Sequence, residues 1–477
     1  MGVAALCVAA ALYPAVHMLA SLHRLALNVM ILDDFDLTQE ILHNRVAPPV
    51  FGDLWALHNE HRMVIPKLVF AVVTRVRHFD EIALQYINFG LMAVAAGLLW
   101  ATLRRVAGRT AWPLLFVACS AIIWSPLQYF NWLRGFEIQW SVLFLAATGA
   151  AFGLAVWPGT RKGLIAICAA TVAASYSLAN GLILWPAALA AMLFSRQWSG
   201  KQTCCLAAVG LASTIAFLIG WHPAHIEGDH ALSYLPSLQF WLILIGMPFA
   251  SEDGADPAQF AIAGLFVLSA FAIAVLSFSG RDRDDLRARL GAPLLLCVFA
   301  AVSAAVIMAG RMPLGMRAAH TSRYITGDML FWIGLLLAAG AFAGHFETTR
   351  RPVRFAASWL VCAAIAIAMA ASMPEAYRLG DKKMAVEHNW QAQLAYVSYN
   401  YPDESDDEIA VLAPDHAVRN DLVLLDRDGD GPFMDRALEA SARHLFAERA
   451  ALASGNRVSA AREHRASGAA RRLLGER

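Results

Sequence analysis

A chain of 477 residues that is 58% hydrophobic and only 16% charged, with mean hydropathy +0.50, carries too little charge for a soluble protein, in which about a quarter of residues are charged; the composition predicts a polytopic membrane protein. Lysine plus arginine (38) nearly cancels aspartate plus glutamate (37), so no basic field points to nucleic acid as a partner. The seven cysteines lie in or beside apolar runs and never as CxxC, which gives no disulfide or zinc framework.

Residues 2–20 form the first predicted span. No Lys or Arg precedes it, as a cleaved signal would require, so a retained helix is expected. Within an outer loop over 23–81, the stretch Leu32–Arg62 is the densest in ionisable groups before the C-terminal tail. It holds Asp33, Asp34, Asp36, Glu40, Asp53, His58, Asn59, Glu60, His61 and Arg62. Leu54, Leu57, His58 and His61 recur at helical spacing, which predicts His58 and His61 on one helix face. Residues 63–79 are apolar but interrupted by Lys67, Arg75, Arg77 and His78, the pattern of an amphipathic interfacial helix.

Apolar runs follow at 82–103, 111–128, 137–157, 163–179, 181–195, 203–221, 258–279, 291–309, 327–344 and 355–373. With the first they predict an all-α transmembrane bundle of about eleven spans. Residues 237–249 are too short to cross and are read as interfacial or re-entrant. Basic residues mark alternate connections: Arg104, Arg105 and Arg109; Arg161 and Lys162; Arg196 and Lys201; Arg281, Arg283, Arg287 and Arg289; Arg350, Arg351 and Arg354. By the positive-inside rule these are cytoplasmic. The N-terminus is then cytoplasmic, the 23–81 loop outside, and the region after residue 373 extracytoplasmic. Two domains are expected: a membrane domain over 1–373 and a small helical region over 374–477.

Three further polar groups fall on the outer face. NWLRGFEIQ carries Arg134 and Glu137; HPAHIEGDH carries His222, His225, Glu227, Asp229 and His230; GRMPLGMRAAHTSRY carries Arg311, Arg317, His320, Arg323 and Tyr324. Three arginines in the last group oppose the positive-inside bias. An anionic ligand accounts for them, since guanidinium forks onto phosphate oxygens and stays charged; pairing with lipid headgroups or with acids of the first loop is the structural explanation. Asp33 and Asp34 suit a general base, because mutual repulsion raises one carboxyl. They equally suit a divalent cation such as Mg or Mn or plain capping near Thr38. HNEHR is not HExxH, so a zinc hydrolase is disfavoured. DRDGDG at Asp426, Asp428 and Asp430 opens like a calcium loop, yet Ala437 stands where the bidentate Glu belongs and Pro432 at the carbonyl position, so a polar turn is expected.

DDFD, HNEHR, GFEIQW, ANG at Ala179–Gly181 and SRY at Ser322–Tyr324, in this order, resemble the GT-C class of bacterial polytopic glycosyltransferases that use polyprenyl-phosphate sugars. The likeness covers most of residues 1–400, with Asp33 and Asp34 where the class carries its acidic motif. It implies a multi-pass protein of the bacterial inner membrane, with a periplasmic C-terminus. It implies transfer of a hexosyl or pentosyl group from a polyprenyl-phosphate carrier to a glycan or lipid acceptor on the periplasmic face, with inversion. Asp33 or Asp34 would be the base; Arg62, Arg317 and Arg323 would stabilise the departing phosphate; His58, Asn59, Glu60, His61, Arg134, Glu137 and Tyr324 would bind substrate. A transporter or flippase of a lipid-linked anionic glycan is the rival reading, and it predicts ionisable groups at mid-membrane depth.

Overall fold

The computed structural model describes residues 2–223, 234–251, 256–349, 352–414 and 418–434. His225, Glu227, Asp229 and His230, the loop arginines Arg350 and Arg351, Ala437 and the tail beyond Arg443 lie outside the described residues. The fold is all-α, and its one sheet among the described residues is a two-stranded hairpin, β1 (Leu57–His58) and β2 (His61–Arg62).

Eight helical segments among the described residues are long and apolar enough to cross a membrane. They fall on α1 (Gly2–Leu25), α4 (Glu81–Val106), α5 (Trp112–Ile123) with its continuation to Leu133, α6 (Ile138–Val156), α9 (Gly200–Leu218), α11 (Pro257–Ser277), α12 (Gly280–Arg311) and α13 (Ile325–Thr348). The shorter helices are α2 (Thr38–Val46), α3 (Val64–Arg77), α7 (Arg161–Ser175), α8 (Leu184–Ser195) and α10 (Tyr234–Gly246). Helix α14 runs over Pro352–Tyr399 and α15 over Val418–Asp428. This is a multi-pass membrane protein.

The chain divides into two compact units. The first comprises residues 1–25, 54–66 and 85–385. Its axis is α13, whose span is wholly buried and packs on α5, α6, α10, α11 and α12. Small residues permit that: a Cβ on Gly334 would come within 2.5 Å of Cys297 Sγ on α12. Between apolar helices in lipid, such close approach is what dispersion forces reward. Conversely, α11, α9 and α1 bury less than a third of their spans, as lipid-facing helices do.

The second unit comprises residues 26–53, 67–84 and 386 onward. Residues 374–385 continue α14 within the first unit, and the described residues from 386 on belong with the opening loop. The core of the second unit holds Met30, Phe35, Ile41, Phe70, Phe79, Leu412, Leu422 and Phe433, all buried. Polar stitches reinforce it. Asp430, fully buried, receives Arg45 Nη1 at 3.0 Å and faces His78 Nδ1 at 3.1 Å. Asn28 donates to the Gly431 carbonyl at 2.7 Å, and the Leu32 amide to that of Leu412 at 2.7 Å. DRDGDG is therefore a turn that ends α15 and serves as a latch.

Candidate functional site

The expectation of a helix through HNEHR is overturned. Asn59 adopts the left-handed conformation at φ 51°, which a short Asn side chain tolerates and a two-residue hairpin turn favours. His58 pairs with His61 across the ladder and Leu57 with Arg62. Both histidines still share one face, since directly opposed residues in an antiparallel pair project together.

His61 is the hub of the cluster. Its Nδ1 accepts the Ala179 amide at 3.2 Å, which leaves the proton of the neutral ring on Nε2. Nε2 lies 3.7 Å from Glu60 Oε1. Arg311, the last residue of α12, donates Nη2 to the same oxygen at 2.7 Å. Glu60 Oε2 is buried and accepts no hydrogen bond from the described residues, so it is available to a ligand donor. Burial foremost, then the charges of Arg311, His58 and Arg323, push the His61 imidazole down to about 4 against the pull of Glu60. The ring is therefore uncharged at neutral pH.

Arg323 stands on the other side, 37% exposed, with Nη1 3.7 Å from the buried Glu137 Oε1. Gln139 donates Nε2 to Glu137 Oε2 at 3.1 Å. Asn131 fixes the SRY backbone by donating to the Arg323 carbonyl at 3.0 Å and to Thr326 Oγ1 at 2.5 Å. His58 packs its ring on Phe136 at 5.1 Å. The ANG segment is held because any Cβ on Gly181 would strike the Ala174 carbonyl at 2.0 Å. HNEHR, GFEIQ, ANG and SRY thus meet in one place in the first unit.

Other expected site residues are placed differently. Arg62 is 3% exposed; it donates Nε to the Phe217 carbonyl at 2.7 Å, Nη1 to Trp55 at 2.5 Å and Nη2 to Ile219. Its guanidinium caps the C-terminus of α9, where orphan carbonyls need donors, and stacks over Trp55 at 4.8 Å. Arg134 lies over Phe130 at 3.9 Å. Tyr324 is buried edge-on against Trp140. Arg317 is exposed and enters none of these contacts. Gln139 is a member that sequence reasoning did not select, and Arg311, singled out only by its placement against the positive-inside bias, joins the cluster through Glu60.

Asp33 and Asp34 belong to the second unit. Asp34 is buried and its Oδ2 accepts the Ile31 amide at 2.8 Å, a capping role. Asp33 is half-buried and Asp36 exposed. These two, one 3-10 turn apart, bring ligand oxygens within 4.8 Å of each other. A Mg or Mn ion takes such hard oxygens, so Asp33 with Asp36 fits a cation better than Asp33 with Asp34.

No known protein family, no curated protein and no solved structure matches this chain.

Proposed function

We propose that this protein is a glycosyltransferase of the bacterial inner membrane that moves a sugar from a polyprenyl-phosphate carrier to a glycan or lipid acceptor at the periplasmic face. The observation that carries the reading is the pair Arg311 and Arg323, each braced by a carboxylate, Glu60 or Glu137, around a neutral His61. Guanidiniums braced in this way are preorganised for phosphate oxygens and need no rearrangement as charge develops. A carboxylate base takes the proton of the acceptor hydroxyl, the role that the resemblance gives to Asp33. The new bond forms to the anomeric carbon as its bond to the phosphate oxygen breaks, and the lipid phosphate leaves with the electron pair, inverting the centre. Glu60 Oε2 and the Nε2–H of His61 hold sugar hydroxyls. Helices α7 and α8 and the first half of α14 complete the about eleven spans, which puts the N-terminus in the cytoplasm and residues after 385 in the periplasm.

The test follows a labelled polyprenyl-linked sugar in vesicles containing the parent, Asp33→Asn or Arg323→Gln. Each variant is expected to transfer at least about a hundredfold more slowly, the usual worth of a base or an electrostatic donor. Transfer at the parental rate by both would sink the proposal. A flippase would instead carry lipid across sealed vesicles with no glycosidic bond made.

A further inference from the structure

Helices α7 and α9 begin side by side. The turn before α7 and the first turn of α9 are tied by Gln202 Nε2, which donates to the Gly159 carbonyl at 2.8 Å. Gly159 sits at φ 66°, and a Cβ there would meet the Gln197 carbonyl at 2.6 Å, so the two turns are held close. Between them lies an open cleft of about 600 Å³ lined by Gly159, Arg161, Leu164, Ser199, Lys201 and Cys205. Arg161 and Lys201 are exposed, and neither has an acidic partner among the described residues. One turn further along each helix the wall becomes apolar, with Leu164 and Cys205 and the 68% exposed Ile165 beside them. The Trp157 carbonyl and the Trp198 ring both close on the position of Gly163 beside the cleft, and the Trp157 side chain, 38% exposed, is the kind of residue that marks headgroup depth.

Each feature answers a different part of one ligand. Two unneutralised cations beside two helix N-termini suit a phosphate. The apolar wall below them suits acyl chains. The depth suits a molecule that is itself part of the bilayer. We propose that this cleft binds an anionic phospholipid, its phosphate between Arg161 and Lys201 and a chain along Leu164 and Cys205. Basic pockets between helices at a membrane face bind anionic headgroups in this manner. The site does not depend on the glycosyltransferase reading.

Native mass spectrometry of the full chain, released from detergent with added phosphatidylglycerol, phosphatidylcholine or inorganic phosphate, tests this. The parent is expected to retain phosphatidylglycerol, and Arg161→Gln with Lys201→Gln to weaken retention about tenfold or more at low salt. The charge-keeping exchange Arg161→Lys with Lys201→Arg should hold the lipid, and Arg104→Gln with Arg109→Gln, which removes as much charge elsewhere, should hold it too. Equal retention of phosphatidylglycerol by the double Gln variant overturns the proposal. So does equal retention of phosphatidylcholine by the parent, or displacement of the lipid by millimolar phosphate, which would mark a site for the free ion. A matching Tm for parent and double variant in lipid-free detergent excludes misfolding as the cause of any loss.

Discussion

The guanidinium of Arg62 gives N–H groups to two carbonyls at the end of α9, Phe217 and Ile219, and to that of Trp55, whereas that of Arg323 is more than a third open to solvent. Lysine replaces a point charge but not a planar fork. Arg62→Lys should therefore lower Tm, by roughly 2 kcal/mol of lost capping, while Arg323→Lys should leave Tm unchanged and slow transfer. Thermal unfolding in detergent beside vesicle assays separates the two; a stable Arg62→Lys protein would refute the capping role. His61 makes a prediction in pH. Its folded value of about 4 lies below the ordinary 6.5. Above pH 6.5 the ring is neutral folded and unfolded, so its contribution is fully present. As pH falls from 6.5 towards 4 the unfolded chain takes a proton that the folded one refuses, and stability is lost. The side chain is 19% exposed, so solvent screening holds the loss to about 2 kcal/mol. His61→Gln should flatten this part of the Tm–pH curve; an unchanged slope would show that the imidazole is not held neutral.

At the scale of elements, the second unit turns on the Asp430 latch. A buried carboxylate that receives Arg45 and faces His78 leaves the Arg45 charge uncompensated when removed, and breaking such a pair costs about 3 kcal/mol. Asp430→Asn should abolish hydrogen-exchange protection at 28–32 and 78–81, and Arg45→Met added to it should cost little more, because the two share one interaction. Additive losses would show independent roles. None of this was legible in the sequence, where DRDGDG read only as a turn. Arg45 and Asp430 stand 385 residues apart, as Glu60 and Arg311 stand 251 apart, and pairing at such distance is decided by packing. HNEHR shows a subtler failure. A separation of three residues fits one helix face and also the opposed positions of a two-residue hairpin, and the left-handed Asn59 decides for the hairpin. Asp33 and Asp34 are adjacent in sequence, yet adjacent residues on a 3-10 turn point apart and the i, i+3 pair is the one that eclipses, which brings Asp33 to Asp36.

At the scale of the whole molecule, the hydropathy pattern carried most of the fold. Bilayer thickness fixes the length of apolar run that reads as a span, and eight segments among the described residues satisfy it. Orientation rests on the arginines. Those at 104, 105 and 109 follow α4, while the opposite ends of the spans carry the braced pair Arg311 and Arg323. On the proposed orientation these two cations forgo the usual bias, and each has a carboxylate that offsets it. The parity is therefore set by the connections whose arginines face water, such as the exposed Arg104, Arg105 and Arg109. With the seven native cysteines replaced, Thr110→Cys should react with a membrane-impermeant maleimide only in inverted vesicles, and His320→Cys only in intact spheroplasts. Both positions are exposed, so failure to react reflects the side of the membrane and not burial. Reaction of both from the same side would break the alternation, and reversal of the two would move the His61 cluster to the cytoplasm, where the donor and acceptor would have to be sought among cytoplasmic substrates.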